Sequence, residues 1–311
     1  MMSLPTPVEA YWNQRFLLSE NRDLILTLCK AVGRPSDLWP YQWAQLIAYA
    51  VTFQPDLILE LGRGQGNSTC AFTQATNWMS QPCKVVSVCR SRAWQETTAA
   101  KIESIVPAEW FHPLQIHETD ILTFDFGKIL SGAKRVFIFW DAHGYEIAER
   151  MLGEILPAIA DLDHVVAMHD LSDSRYLPAS ANEYGDLGMW KGNTSGQPRL
   201  RIGYIDSAVE QSVAITDFTS RNNMDLHSAD HSFHQELNAE KQKELRERLG
   251  DELFSLNAHW FWFSLNEASG PFTFPKFHPP VSKEPPAVGF LTRIKVALKI
   301  LLKRYPADRF L

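Results

Sequence analysis

The sequence predicts an α/β fold, in which a doubly wound, mostly parallel sheet of seven strands has helices on both faces. Short apolar segments alternate with segments of helical spacing along most of the chain. Strands in such a series are buried on both sides, which favours parallel pairing. The length of 311 residues and the hydrophobic content of 45% suffice for one large domain with additions or for two small domains.

Helices are expected before the first strand. Apolar residues recur at helical spacing from 8 to 32, and a second amphipathic stretch covers 41–53 after the breaker GRPSDLWP. We assign residues 1–54 to this N-terminal helical cap. The expected strands that follow are 57–61, 84–89, 114–120, 135–141 and 164–170, separated by helices that begin near residues 67, 94 and 145.

The chain is less regular after the fifth strand. Residues of about 171–238 are predicted to form an insertion or lid within an α/β domain of residues 55–270, and they include a strand-like run, QSVAITDF, at 211–218. A charged helix over 235–250 and an aromatic strand over 259–266 complete the predicted domain.

A Pro-rich linker is expected at 271–289, followed by a basic amphipathic C-terminal helix at 290–311. Lys295, Lys299 and Lys303 recur every four residues, and an apolar stripe lies on another face. The predicted helix suits peripheral contact with an anionic membrane through 290–305. Contact of the same helix with the protein's own surface, or with a second subunit in a homo-oligomer, is the alternative.

Charge and composition exclude some classes of partner. The net charge is −6, and acidic and basic residues are mixed along most of the chain, so no nucleic-acid partner is expected. The start of the chain has no secretory pattern and no apolar run reaches the length of a membrane span, which predicts a cytoplasmic protein, peripheral to a membrane at most. The four cysteines have no metal-binding spacing, so we expect reduced, structural thiols.

A glycine-rich turn follows the first predicted strand. The stretch LILELGRGQGNST places Gly62, Gly64 and Gly66 directly before a predicted helix. Dinucleotide-binding folds use G-x-G-x-x-G, in which the third glycine lets the helix pack close to the strand. Asn67 occupies that third position here, so the spacing argues against a nicotinamide dinucleotide.

The pattern E-x-G-x-G-x-G resembles the first motif of class I S-adenosylmethionine (SAM) dependent methyltransferases, whose sheet is Rossmann-like. The resemblance implies SAM as the cofactor, with the backbone of the three glycines close to its methionyl and ribose parts. It implies that Glu60 helps to bind the methionine ammonium group, with which a carboxylate can pair. Asp120, at the end of the third strand, matches the position that the family uses at the adenine edge.

The chain departs from this family at the end of the second strand. Most relatives carry Asp or Glu there to accept hydrogen bonds from both ribose hydroxyls, whereas this chain has Cys89 followed by Arg90. We place Cys89 in the cofactor site by its position. Either another residue holds the ribose or SAM binds weakly.

A second set of polar residues follows two neighbouring strands. An apolar strand ends in Asp141-Ala142-His143-Gly144-Tyr145, and the next strand ends in His169-Asp170. This arrangement resembles the small-molecule O-methyltransferase group within class I that is often called methyltransferase family 24. Because the carboxyl ends of adjacent parallel strands meet in one crevice, these side chains are expected to lie together.

Two chemistries suit this set. Asp141, His169 and Asp170 can hold a divalent cation such as Mg²⁺ or a transition metal, which lowers the pKa of a substrate hydroxyl. Alternatively, a histidine acts as general base without a metal, with His143 as the first candidate and His169 as the second. In both cases Asp141, His143 and His169 form the predicted catalytic set.

The predicted function is therefore SAM-dependent O-methylation of a hydroxyl on a small molecule, such as a sugar or another natural product. The enzyme's main contribution would be alignment of the acceptor with the methyl group. The alternative is a member of the same fold that binds SAM or another ligand without methylating, or that is associated with hydroxylation. The missing carboxylate at Cys89 suits this alternative.

Overall fold

A computed structural model describes residues 4–34, 37–169 and 202–279 of the protein, with the backbone alone for 202–210. Seven strands form one sheet. Their bounds are β1 Leu57–Leu61, β2 Lys84–Cys89, β3 Leu114–Glu118, β4 Arg135–Trp140, β5 Asp163–His169, β6 His227–Ser228 and β7 Trp260–Phe263. The order across the sheet is β3-β2-β1-β4-β5-β7-β6, in which β7 is antiparallel to both of its neighbours and the other pairs are parallel. The predicted fold class is confirmed.

Helices precede, connect and follow these strands. They are α1 Pro7–Asn13, α2 Arg15–Glu20, α3 Arg22–Val32, α4 Pro40–Phe53, α5 Asn67–Trp78, α6 Ala99–Glu103, α7 Phe126–Leu130, α8 Tyr145–Arg150, α9 Leu156–Ala158, α10 Ile202–Arg221, α11 Ala229–Glu236 and α12 Ala239–Leu253. Wider π-type turns, Trp94–Thr98 and Met151–Ile155, lead into α6 and α9.

The sheet separates two hydrophobic cores because successive strand residues point to opposite faces. In β1, Ile58 packs with the N-terminal helices, α5, α11 and α12, whereas Leu57 and Leu59 pack with α7, α8 and α10. Helix α4 is buried along almost its whole length between the sheet and the other N-terminal helices. The N-terminal cap therefore shares one core with the sheet and brings α4 to the carboxyl end of β5.

The strand predicted at 211–218 is wrong, because these residues belong to α10. Gln211, Ile215 and Phe218 are buried, at the four- and three-residue spacing of a helix face, while Val213 is 63% exposed. In a strand, Val213 and Ile215 would share a face. The alternating apolar residues suggested a period of two, but burial follows the helical period.

Other parts of the predicted insertion also contribute to the fold. Strand β6 forms the edge of the sheet beside β7, and α11 packs near α1. The predicted charged helix is divided into α11 and α12 at Leu237–Asn238, where Asn238 caps α12 by accepting a hydrogen bond from the Lys241 N–H.

Several predictions lie outside the described residues. These are Asp170, most of the predicted lid (170–201) and the linker and basic helix after residue 279. Residues 271–279 have no regular secondary structure, and Phe272 and Phe274 pack against the core on the α10 side of the sheet. Among the helices that the structure describes, none is long and apolar enough to cross a membrane.

Candidate active site

The pairing of β1 with β4 brings the glycine turn beside Asp141. Leu61 is paired with Trp140, and the Asp141 N–H donates to the Leu61 carbonyl at 2.8 Å. A Cβ atom on Gly62 would lie 2.5 Å from the Asp141 carbonyl oxygen. Gly62 is therefore required by the close approach of two backbones, whether or not a ligand is present.

The other two glycines of the turn differ in their surroundings. A Cβ atom on Gly66 would lie 2.2 Å from the Trp94 ring, so this glycine is also explained by packing. Gly64 has a φ of +52°, and no heavy atom of the described residues lies within 4 Å of a Cβ built there. Gly64 is thus the glycine of the three that has open space beside it.

That space belongs to a cavity of about 470 Å³ at the carboxyl ends of β1, β2 and β4. Open α/β sheets bind ligands in crevices at this position. The cavity brings together six of the predicted site residues: Gly62, Gly64, Cys89, Asp120, Asp141 and His143. The predicted cofactor turn and the predicted catalytic residues therefore face one space.

Glu60 does not line this cavity. Its side chain is completely buried and its carboxylate accepts hydrogen bonds from the hydroxyls of Ser68 (2.5 Å), Thr69 (2.7 Å) and Ser87. Burial raises the pKa of Glu60, against the lowering effect of these hydrogen bonds and of the Arg63 charge. The carboxylate ties β1 to the start of α5 and to β2, which is a structural role that the motif did not indicate.

A different carboxylate reaches the cavity near the turn. Asp37 lines it and is held by Asn67, whose Nδ2 donates to Asp37 Oδ2 and to the Arg34 carbonyl, each at 3.1 Å. Asn67 is positioned in turn by Trp43, whose Nε1–H donates to its Oδ1 at 3.2 Å. Asp37 was not among the predicted site residues, because it lies in the breaker GRPSDLWP, more than 20 residues before the glycine motif.

The end of β2 carries an ion pair where the methyltransferases that the glycine motif resembles have a carboxylate. Arg90 Nη1 lies 3.6 Å from Asp120 Oδ2, and both residues line the cavity. Asp120 Oδ1 accepts the Leu122 N–H at 2.9 Å, which fixes the carboxylate at the start of the turn. Asp120 therefore presents its carboxylate beside Cys89, from the neighbouring strand.

Asp141 lies between two imidazole rings. Asp141 Oδ1 is 3.2 Å from His169 Nδ1 and 4.0 Å from His143 Nε2. His143 Nδ1 donates to Gln211 Oε1 at 2.9 Å, because a carbonyl oxygen can only accept. In its neutral form, His143 then carries its lone pair on Nε2, the nitrogen that lies 4.0 Å from Asp141 Oδ1. Gln211 comes from α10, in the segment predicted as a strand.

His169 is only 1% exposed and does not line the cavity. Its Nδ1 faces Asp141 and its Nε2 lies 3.2 Å from Gln42 Nε2. A metal ligand needs a ring nitrogen with its lone pair directed at the ion, and both nitrogens of His169 are already hydrogen bonded. Among the residues that the structure describes, no group of three or more His, Cys, Asp or Glu side chains is arranged to hold a metal ion.

Comparisons with known proteins found similarity to solved structures but none at the level of sequence families. No model of a known protein family matches the chain, and no curated protein matches it significantly. The SAH-bound methyltransferase PaMTH1 of Podospora anserina is 11% identical, with a TM-score of 0.44 over 72% of this chain and 77% of that chain. The O-methyltransferase of Bacillus cereus in complex with SAH is 15% identical, with a TM-score of 0.40 over 67% of this chain and 82% of that chain.

A third solved structure, the SAM-bound O-methyltransferase TomG from Streptomyces achromogenes, is 18% identical, with a TM-score of 0.38 over 64% of this chain and 80% of that chain. These three solved structures are methyltransferases. At this level, similarity carries no argument about activity. The strand order of the chain itself defines the fold as Rossmann-like.

Proposed function

We propose that the protein binds SAM in the cavity at the carboxyl ends of β1, β2 and β4 and transfers its methyl group to a hydroxyl of a small molecule. One observation carries this proposal. Gly64, which has open space beside it, faces the same cavity as Asp141 and His143. A cofactor held at the turn would therefore direct its reactive end toward an acid and an imidazole.

Different residues serve the two ends of the cofactor. Asp37 is the carboxylate for the methionine ammonium group, because it lines the cavity whereas Glu60 is enclosed by hydroxyls. Asp120, two residues after β3, and Cys89, at the end of β2, line the same cavity and serve the nucleoside, for which Asp120 supplies hydrogen-bond acceptors in place of the missing carboxylate on β2.

The methyl acceptor is a neutral hydroxyl of a sugar or another natural product, and its proton must leave as the new C–O bond forms. SAM would supply the electrophilic methyl group of its sulfonium and would leave as the neutral thioether S-adenosylhomocysteine. His143 Nε2 takes the hydroxyl proton, and the Asp141 carboxylate at 4.0 Å stabilises the imidazolium that results. Gln211 holds the ring from its other side, so that the proton enters on the cavity side.

Chelation separates this mechanism from one that needs a cation at Asp141 and Asp170. If His143 is the base, turnover should persist after treatment with EDTA, and metal analysis of the purified protein should find less than stoichiometric metal. Loss of turnover with EDTA, restored by added Mg²⁺, would replace the histidine base with a cation.

A second candidate function is binding without methyl transfer, in a degenerate member of the same fold. The observation in its favour is the end of β2, where Cys89 and Arg90 stand in place of a ribose-binding carboxylate and Arg90 is engaged with Asp120. Binding of SAM or another adenosine ligand with no transfer to any hydroxyl acceptor would favour this function.

Calorimetry tests cofactor binding directly. The full chain should bind SAM and S-adenosylhomocysteine and should not bind NADH. Gly64→Ala should weaken SAM binding about tenfold, because the added methyl group enters the space where the backbone meets the ligand. Gly132→Ala is the control, because Gly132 also has a positive φ (+124°) and no described atom within 4 Å of a Cβ, yet does not line the cavity. NADH binding without SAM binding would refute the assignment.

A further inference from the structure

Gln42, in the first turn of α4, has an amide group whose orientation is fixed. Its Oε1 accepts the Trp39 N–H at 2.8 Å, and its Nε2 donates to the Ala258 carbonyl at 2.7 Å. A backbone N–H can only donate and a backbone carbonyl can only accept, so the two ends of the amide cannot be exchanged. The side chain is 1% exposed, so water does not compete for these contacts.

This orientation determines the protonation of the His169 ring. Gln42 Nε2 lies 3.2 Å from His169 Nε2, and an amide nitrogen only donates, so His169 Nε2 must be the acceptor. In the neutral ring the proton then lies on Nδ1, which is 3.2 Å from Asp141 Oδ1. The chain of donors runs from Trp39 through Gln42 and His169 to the Asp141 carboxylate.

We infer that Gln42 is a positioning residue, which acts through His169 to orient the Asp141 carboxylate in the cavity. The register of β4 with β5 places His169 beside Asp141 whatever its tautomer. Gln42 determines that, in this hydrogen bond, His169 Nδ1 donates and Asp141 Oδ1 accepts. With Nε2 as donor instead, Nδ1 would turn a lone pair toward the carboxylate, and the two would repel each other.

Two consequences follow for the site. His169 acts neither as general base nor as cation ligand, because its lone pair points away from the cavity to Gln42. The N-terminal cap also contributes two residues to the site, Gln42 as a positioning residue and Asp37 as a cofactor-binding residue. The consequence for turnover rests on the proposed methyl transfer, whereas the tautomer of His169 does not.

The tautomer is measured by ¹⁵N NMR of the full chain with labelled histidine at neutral pH. We expect one buried histidine, assigned by its loss in His169→Asn, to show a protonated Nδ1 and an unprotonated Nε2. A protonated Nε2 in the unchanged protein would overturn the inference. This measurement needs no cofactor, so its failure is distinct from failure of the proposed function.

Gln42→Glu is the sharpest variant, because it keeps the shape of the side chain and replaces the donor that faces His169 by an acceptor. His169 Nε2 should then be protonated. Turnover should fall about tenfold or more, as is usual when a residue that orients a site group is changed, while affinity for S-adenosylhomocysteine stays within about twofold.

Gln45→Glu is the matched control. Gln45 lies on the same helix, is also 1% exposed and donates to the Asn257 carbonyl at 3.0 Å, but it does not contact His169. It should leave the His169 resonances and the turnover unchanged. Equal changes in the two variants, or an equal fall in cofactor affinity and turnover for Gln42→Glu, would reduce Gln42 to a structural residue and overturn the inference.

Discussion

Glu60 and Asp141 are both acidic residues near the carboxyl ends of adjacent strands, and both belong to motifs that point to a function. Their surroundings are opposite. Glu60 is fully buried and accepts hydrogen bonds from three hydroxyls, whereas the Asp141 side chain is 16% exposed in a cavity and lies between two imidazoles. One carboxylate holds the turn together, and the other lines a cavity.

The difference lies in what each strand end meets. Glu60 is inside β1, so its side chain points from the sheet to α5 and β2, where Ser68, Thr69 and Ser87 surround it. Asp141 comes one residue after β4 ends and lies at the rim of the crevice. An acidic residue in a glycine motif can therefore serve the turn itself, so a motif match alone does not show that the residue binds a ligand.

Removing the Glu60 carboxylate should destabilise the protein more than removing the Asp141 carboxylate. Glu60→Ala leaves three buried hydroxyls without their acceptor, at a cost of about 1 kcal/mol or more each, so the free energy of unfolding should fall by about 3 kcal/mol or more. Asp141→Ala should cost less than half as much, because Asp141 is partly exposed. Urea denaturation measures both, and equal losses would remove the distinction between the two residues.

Activity should show the reverse pattern. Asp141→Asn should lower turnover by about 100-fold, because the neutral amide cannot stabilise an imidazolium at His143, while SAM affinity changes little. His143→Ala should have a similar effect. Steady-state kinetics and calorimetry on the same samples test this pair. A fall in SAM affinity as large as the fall in turnover would place Asp141 in the cofactor site instead.

Smaller effects should distinguish the glycine that packs against the protein, Gly66, from the glycine that faces the cavity, Gly64. Gly66→Ala should destabilise the protein by about 2 kcal/mol, because the new methyl group meets the Trp94 ring. Gly64→Ala should cost about 1 kcal/mol, from its left-handed backbone alone. Thermal unfolding with and without SAM separates the effects, because only Gly64→Ala is expected to reduce the stabilisation that SAM provides.

The smallest expected effect is the contribution of Glu60 to the pH dependence of the free energy of unfolding. Burial raises the pKa of Glu60 above its ordinary value of 4.5, so the folded state binds a proton at a higher pH than the unfolded state does. The protein should therefore gain stability relative to Glu60→Gln as the pH falls from its raised pKa toward 4.5, with a slope of at most about 1.4 kcal/mol per pH unit. Urea midpoints across this range measure it, and a constant difference between the two proteins would contradict the prediction.

The strand positions were predictable because apolar periodicity is local. All of β1 and β2 were predicted to the residue, and β4 and β5 to within one residue at each end. The short edge strand β6 was missed because two residues carry no periodic signal. The strand predicted at 211–218 failed because Val213, an apolar residue on the exposed face of α10, stands two positions before the buried Ile215 and imitates a period of two. The burial of Gln211, Ile215 and Phe218 shows the helical period.

By itself, the sequence determined the fold class, the glycine turn after the first strand and the polar residues that follow the fourth and fifth strands, because strands and the residues after them are recognised from local periodicity. Only the tertiary structure decided which carboxylates face the cavity and which way the hydrogen bonds of His169 run. Gln42 and His169 are 127 residues apart, and His143 and Gln211 are 68 apart. No local pattern encodes such contacts, because they depend on how α4 and α10 pack against the sheet.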